Sequence, residues 1–162
     1  MVDLQPVRDV PPYLCDVIPE RSFRRVTGIK TPLRTRWDGP RTNYGLCLVH
    51  AAGSEAPLGL DWSFDDGDNV LRRQQRAWAD DSPRPLPPEL GQGLAATRPT
   101  AGVDARPHFV IALFRCGAKR PWISIDFARV ARGRDAARDM FAFMKIAQQR
   151  FGRMHGCAPR LT

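Results

Sequence analysis

Four aspartates, Asp61, Asp65, Asp66 and Asp68, crowd the stretch "LGLDWSFDDGDNVLRRQQRAW", and Arg72, Arg73 and Arg76 follow at once. Carboxylates at this density could hold a divalent cation, shape a ligand-binding turn or begin a helix. A calcium loop of the EF-hand kind needs oxygen ligands at alternating positions, then a glycine and a distant glutamate. The order D-W-S-F-D-D-G-D-N breaks the alternation, and no glutamate follows at the required place. The spacing instead predicts a turn at Asp65-Asp66-Gly67 and a helix from about residue 70 to 79, capped by Asp68 or Asn69. Val70, Leu71, Gln74, Ala77 and Trp78 share one arc of that helix and the three arginines the other. Acidic groups at a helix N-terminus stabilise it by about 0.3–1 kcal/mol each. The aspartates are therefore expected to be structural, with no bound metal.

Other reactive residue types form no recognisable constellation. Cys15, Cys47, Cys116 and Cys157 contain no C-x-x-C pair, and Cys47 and Cys116 lie in apolar runs where a free cysteine behaves as a small hydrophobe. "CLVH" and "HGC" come nearest to zinc-ligand spacing, but on an alternating strand Cys47 and His50 point to opposite sides. His108 and His155 have no partner motif. No nucleophile elbow, P-loop, dinucleotide fingerprint or H-E-x-x-H occurs. "GQG" at 91–93 falls in a proline-rich stretch rather than between a strand and a helix, and alternation puts Asp126 of "ISIDF" on a solvent face. A non-enzymatic protein without cofactor is the expectation.

One pair of short motifs resembles a known family. "RSFRR" places Arg21 and Arg25 at R-x-x-x-R spacing, and "DWSFDDG" supplies Asp61 and Ser63. This is similar to the pattern of PilZ domains, which bind cyclic di-GMP and are antiparallel barrels that commonly end in a helix. The resemblance covers about a dozen residues and departs at Gly67, one residue later than the pattern places its glycine. It implies a cyclic-dinucleotide site at Arg21, Arg25, Asp61 and Ser63.

Charge geography points elsewhere. The 162 residues carry a net charge of +8, made of +2 over residues 1–60, −3 over 61–105 and +9 over 106–162. On a helix over residues 134–154, Ala136, Met140, Phe143, Met144, Ala147 and Phe151 form one arc, and Arg134, Arg138, Lys145, Gln149 and Arg153 the opposite one. Phe141 projects beside Arg138 and Lys145, an arrangement suited to stacking on bases or docking in a groove. With Arg115, Lys119, Arg120, Arg129 and Arg132 on the preceding hairpin, these residues predict a continuous positive surface for nucleic acid or, alternatively, for an acidic protein.

The elements that must position this surface read as α+β. "RTNYGLCLVHAA" predicts a central strand apolar on both faces. In "PLGLDWSF" Leu58, Leu60, Trp62 and Phe64 alternate with polar residues, as in a half-buried strand. "HFVIALFRC" and "PWISIDFARV" flank a tight turn and predict a hairpin. The expected fold is one domain over residues 1–162: an antiparallel sheet of about four to six strands with the long C-terminal helix packed on one face. Residues 1–30 are expected to be irregular, and residues 80–107, rich in proline and glycine, a surface or disordered loop. No apolar run spans a bilayer and the N-terminus lacks signal-peptide order, so a cytoplasmic location without membrane insertion is expected.

Overall fold

Alternation and helical periodicity organise most of the chain around one sheet. The structure, a computed structural model, describes residues 4–53, 55–98 and 106–157, with the backbone of Pro159–Arg160. A short ribbon of β1 (Tyr13–Leu14) and β2 (Ile18–Pro19) leads into α1 (Glu20–Thr27). Next come β3 (Arg34–Asp38), β4 (Tyr44–His50), β5 (Leu58–Ser63) and α2 (Gly67–Ala77). β6 (Arg84–Pro85), β7 (Gln92–Thr97), β8 (His108–Leu113) and β9 (Arg115–Cys116) follow. The chain closes with β10 (Trp122–Phe127), α3 (Ala136–His155) and β11 (Pro159–Arg160). Seven strands form an antiparallel sheet in the order β3-β4-β5-β10-β8-β7-β6, and β11 pairs with β9 in a separate ribbon. The fold is α+β, as the patterns predict, with one strand more than the upper expectation.

The C-terminal helix forms where its periodicity puts it. The Asp135 side chain accepts a hydrogen bond from the Arg138 amide, and Gly156 ends the helix in the left-handed region that favours glycine. Met140, Phe143, Met144 and Phe151 are all at most 2% exposed and join Leu58, Leu60, Ile123 and Ile125 of the sheet in the main core. Complete burial of side chains this size contributes roughly 1.5–3 kcal/mol each. α1 lies on the same side, with Phe23 and Val26 in that core. The other sheet face carries a smaller core, where Val70, Leu71 and Trp78 of the α2 segment cover Leu94, Phe109, Ile111, Leu113 and Trp122.

Four expectations need correction. Residues 80–98 are not a structureless loop: β7 is an inner strand and Leu86, Leu90 and Leu94 are buried. Its Gly, Ala and Ala residues give little strand signal, because the strand is held by neighbours on both sides rather than by its own propensity. Gly91 adopts φ +94, and a Cβ there would strike the Leu113 carbonyl, so "GQG" serves close strand approach. The remainder of the expected loop, 99–105, lies outside the described residues. The N-terminal region contains α1, too short to show a convincing period. β4 is apolar on both faces but packed on only one, leaving Tyr44 and Leu46 49% and 38% exposed.

The fourth correction concerns the cysteines. Cys15 bonds Cys47 and Cys116 bonds Cys157, with Cα separations of 5.9 and 5.1 Å. Partners 32 and 41 residues apart in sequence meet only through the sheet topology. None of these thiols is a free core hydrophobe.

Candidate functional site

The aspartates behave as a turn and a helix start. Asp66 occupies the N-cap position of α2 in the left-handed region, and its carboxylate accepts a hydrogen bond from the Asn69 side-chain Nδ2 at 2.7 Å rather than from a backbone amide of the first turn. Asp68 lies in the first turn and pairs with Arg120 at 3.3 Å. The helix begins at Gly67, so Asp68 and Asn69 sit inside it rather than capping it. Among the described residues, no group of three or more His, Cys, Asp or Glu side chains is placed to hold a metal.

The predicted basic surface is divided. Arg129 pairs with Glu55 at 3.0 Å, and Arg120 with Asp68. Arg134, expected in the exposed arc, is instead buried: its side chain is 4% exposed, bonds both Asp139 oxygens at 2.8 and 2.9 Å, and reaches the Gln5 carbonyl. Phe141 packs partly buried against the main core and is not a ring standing free among cations. For Arg134 the cause is the N-terminal segment, which crosses this flank of α3 at Gln5. Arg150 shows the same covering, bonded to Asp9 at 2.9 Å with its guanidinium 3.8 Å over the Tyr13 ring.

Arg115, Lys119, Arg132, Arg138, Lys145 and Arg153 remain exposed and form no ion pair among the described residues, although the Arg153 charge is felt at the Asp9 carboxylate. Arg132 and Arg138 lie at the start of α3. Arg153 lies at its end, where Cys157 ties the chain to β9 and hence to Arg115. At 1.5 Å per residue, Arg138 and Arg153 are about 22 Å apart along the axis. Lys145 lies about midway between them, so these three cations run along α3, while Arg115 and Lys119 lie on the hairpin near its C-terminal end.

Near the C-terminal end of α3 lies an aromatic cleft that sequence reasoning missed. Trp37 of β3, Trp62 of β5, Pro40, Arg41 and Thr42 of the β3–β4 turn, and Met154 and His155 of α3 line an open cleft of about 590 Å³. The Arg41 guanidinium stands 4.4 Å over the Trp37 ring and bonds Asp16 at 2.5 Å. His155 packs against Phe151, Trp62 and Phe64 with ring centroids at 4.2, 4.8 and 5.2 Å. Lys119 places its ammonium 4.7 Å from the Phe64 ring, just beyond the cleft. Burial, and then the Lys119 charge, hold the His155 pKa below its ordinary value, so the imidazole is neutral at pH 7. His155 Nε2 is buried with no hydrogen-bond partner among the described residues. Cys15 lines the adjoining small cavity, and Cys157 lies two residues beyond His155. Each disulfide therefore braces one side of the cleft. No sequence signal links these residues, because three separate segments supply them.

The residues of the PilZ-like pattern are not brought together. Arg21 and Arg25 lie on α1, on the α3 side of the sheet. Asp61 and Ser63 alternate with the core residues Leu60 and Trp62 and so point to the opposite face. The sheet is open rather than a closed barrel. On that face Asp126 is held by Arg106 at 2.7 Å. Burial, and then the charge of Asp126, push the Asp61 carboxyl up to about 6.

No helix among the described residues is long and apolar enough to cross a membrane. No protein-family model, curated protein or solved structure matches the chain.

Proposed function

We propose that this protein is a non-catalytic binding module that docks an acidic protein surface through the cations gathered at the C-terminal end of α3. The observation that carries the reading is an exposed aromatic cleft with Arg41 in its lining and Lys119 one ring beyond it, at the end of α3 where Arg153 and, through the Cys116–Cys157 bond, Arg115 also lie. Interface anchors are enriched in Trp, Tyr and Arg and concentrate in pockets that exclude water. Complementary charge around such an anchor steers association and fixes orientation.

The alternative partner is nucleic acid, favoured by the net charge alone. A duplex presents an extended track of phosphates, and affinity for it grows with the number neutralised. Arg120, Arg129 and Arg134 are engaged by the protein's own carboxylates, which shortens the free track to Arg132, Arg138, Lys145 and Arg153 and favours docking of a compact acidic patch at the cleft. The disulfides bear on location. Such bonds persist in oxidising compartments and are rare in the cytosol, which supports an extracytoplasmic site of action over the cytoplasmic one expected from composition.

Fluorescence anisotropy at about 0.15 M salt, where exposed charges are screened beyond about 8 Å, tests this choice. A labelled polyglutamate peptide should bind more tightly than a duplex oligonucleotide. Tighter duplex binding, with a salt slope that flattens by about 0.9 per cation when Arg138 and Lys145 are replaced, would overturn the reading in favour of nucleic acid.

A further inference from the structure

The composition of the cleft says more about the partner than its charge does. Trp37, Pro40, Met154 and the neutral His155 offer ring faces and a soft thioether, with Trp62 as an almost fully buried floor. Met154 is 48% exposed, a large apolar side chain left in water at the mouth of the cleft. Thioether and aromatic surfaces of this kind favour contact with another ring. A neutral His155 means that an incoming apolar group desolvates no charge there.

The cations are placed for a chain that passes over the cleft. Arg41 belongs to the lining and gives one nitrogen to Asp16, leaving the other donors of its guanidinium available. Lys119 stands outside the lining, one ring beyond His155. A small ligand confined to the cleft meets Arg41 alone, whereas an extended segment meets both. The disulfides on either side hold the walls in place, which lowers the ordering cost of binding.

We infer that the cleft receives an aromatic side chain from an extended acidic segment of the partner, flanking carboxylates lying on Arg41 and Lys119. This rests on the docking function proposed above and adds the anchoring residue to it.

Isothermal titration of Ac-Glu-Glu-Phe-Glu-Glu-NH2 and Ac-Glu-Glu-Ala-Glu-Glu-NH2 separates the two ideas. The phenylalanine peptide should bind about tenfold more tightly, and Trp37→Ala should abolish that advantage. Because Trp37 also packs against the core, Met154→Glu is the second variant: its side chain is exposed, and it should remove the advantage without lowering the thermal midpoint. Arg138→Gln, at the far end of α3, should leave the ratio unchanged. Equal affinity for the two peptides would overturn the aromatic anchor while leaving acidic docking intact. Failure of both peptides to bind at low salt would remove both. Phenylacetate binding as tightly as the peptide would also overturn the inference, by showing that the cleft takes a small aromatic acid.

Discussion

Replacing Cys116 and Cys157 together with alanine removes the bond that ties the end of α3 to β9 across 41 residues. In the chain-entropy treatment, closing a loop of that length takes about 13 cal/mol/K from the unfolded ensemble, or about 4 kcal/mol at 25 °C. The Cys15–Cys47 bond closes a separate loop of 32 residues and contributes a similar amount, about 3.7 kcal/mol. The loops do not overlap, so the two together approach about 8 kcal/mol, comparable with the whole stability of many domains. In urea the double alanine variant should lose about 2 M from its midpoint, taking a slope of about 2 kcal/mol/M. Reduction of the native protein should cost roughly twice as much and should dismantle the cleft, whose walls the bonds join. The assay is equilibrium unfolding followed by tryptophan fluorescence, with iodoacetamide alkylation counted by mass spectrometry in parallel. A midpoint within 0.5 M of the native one, which corresponds to about 1 kcal/mol, or alkylation of the unreduced protein at these cysteines, would refute the reasoning.

Further predictions follow from the buried charges. Arg134→Gln should destabilise the protein by about 3–5 kcal/mol, because it strands the Asp139 carboxylate inside the fold. A loss below 1 kcal/mol in urea unfolding would show that Arg134 is a surface residue after all. Asp61 releases its proton near 3.8 when unfolded but near 6 when folded. Its contribution to stability is therefore full below about pH 4 and declines as pH rises towards 6. Asp61→Asn should raise the thermal midpoint at pH 7 and change it little at pH 4; equal midpoints for both proteins at pH 7 would contradict the shift.

Local pattern made α3, β5 and the β8–β10 hairpin legible, because each has a strong period and a plain turn or cap. Leu58, Leu60 and Trp62 alternate, and Met140, Phe143, Met144 and Phe151 recur at helical spacing, so burial follows directly. β7 was not legible, since Gly93, Ala95 and Ala96 form a strand only because flanking strands supply its partners. The disulfides and the cleft were hidden for a related reason: Cys15 meets Cys47, and Trp37 meets His155, through sheet order rather than sequence distance. The basic arc was partly legible. Its helical phase put Arg138, Lys145 and Arg153 outside, but it could not foresee that the N-terminal segment would cover Arg134 and Arg150 or that Phe141 would pack against the core.

The central claim is that an acidic partner docks at one end of α3 and not along the whole basic face. Two triple variants of equal charge change test it most directly: Arg115→Gln/Lys119→Gln/Arg153→Gln at the cleft end, and Arg132→Gln/Arg138→Gln/Lys145→Gln over the first half of the helix and the turn before it. All six side chains are exposed, so the fold should survive in both. Exposed charge pairs contribute about 0.2–1 kcal/mol each, so the first variant should lose about tenfold in affinity for the labelled polyglutamate peptide, and the second less than about threefold. Equal losses in the two variants, or the larger loss in the second, would contradict the account.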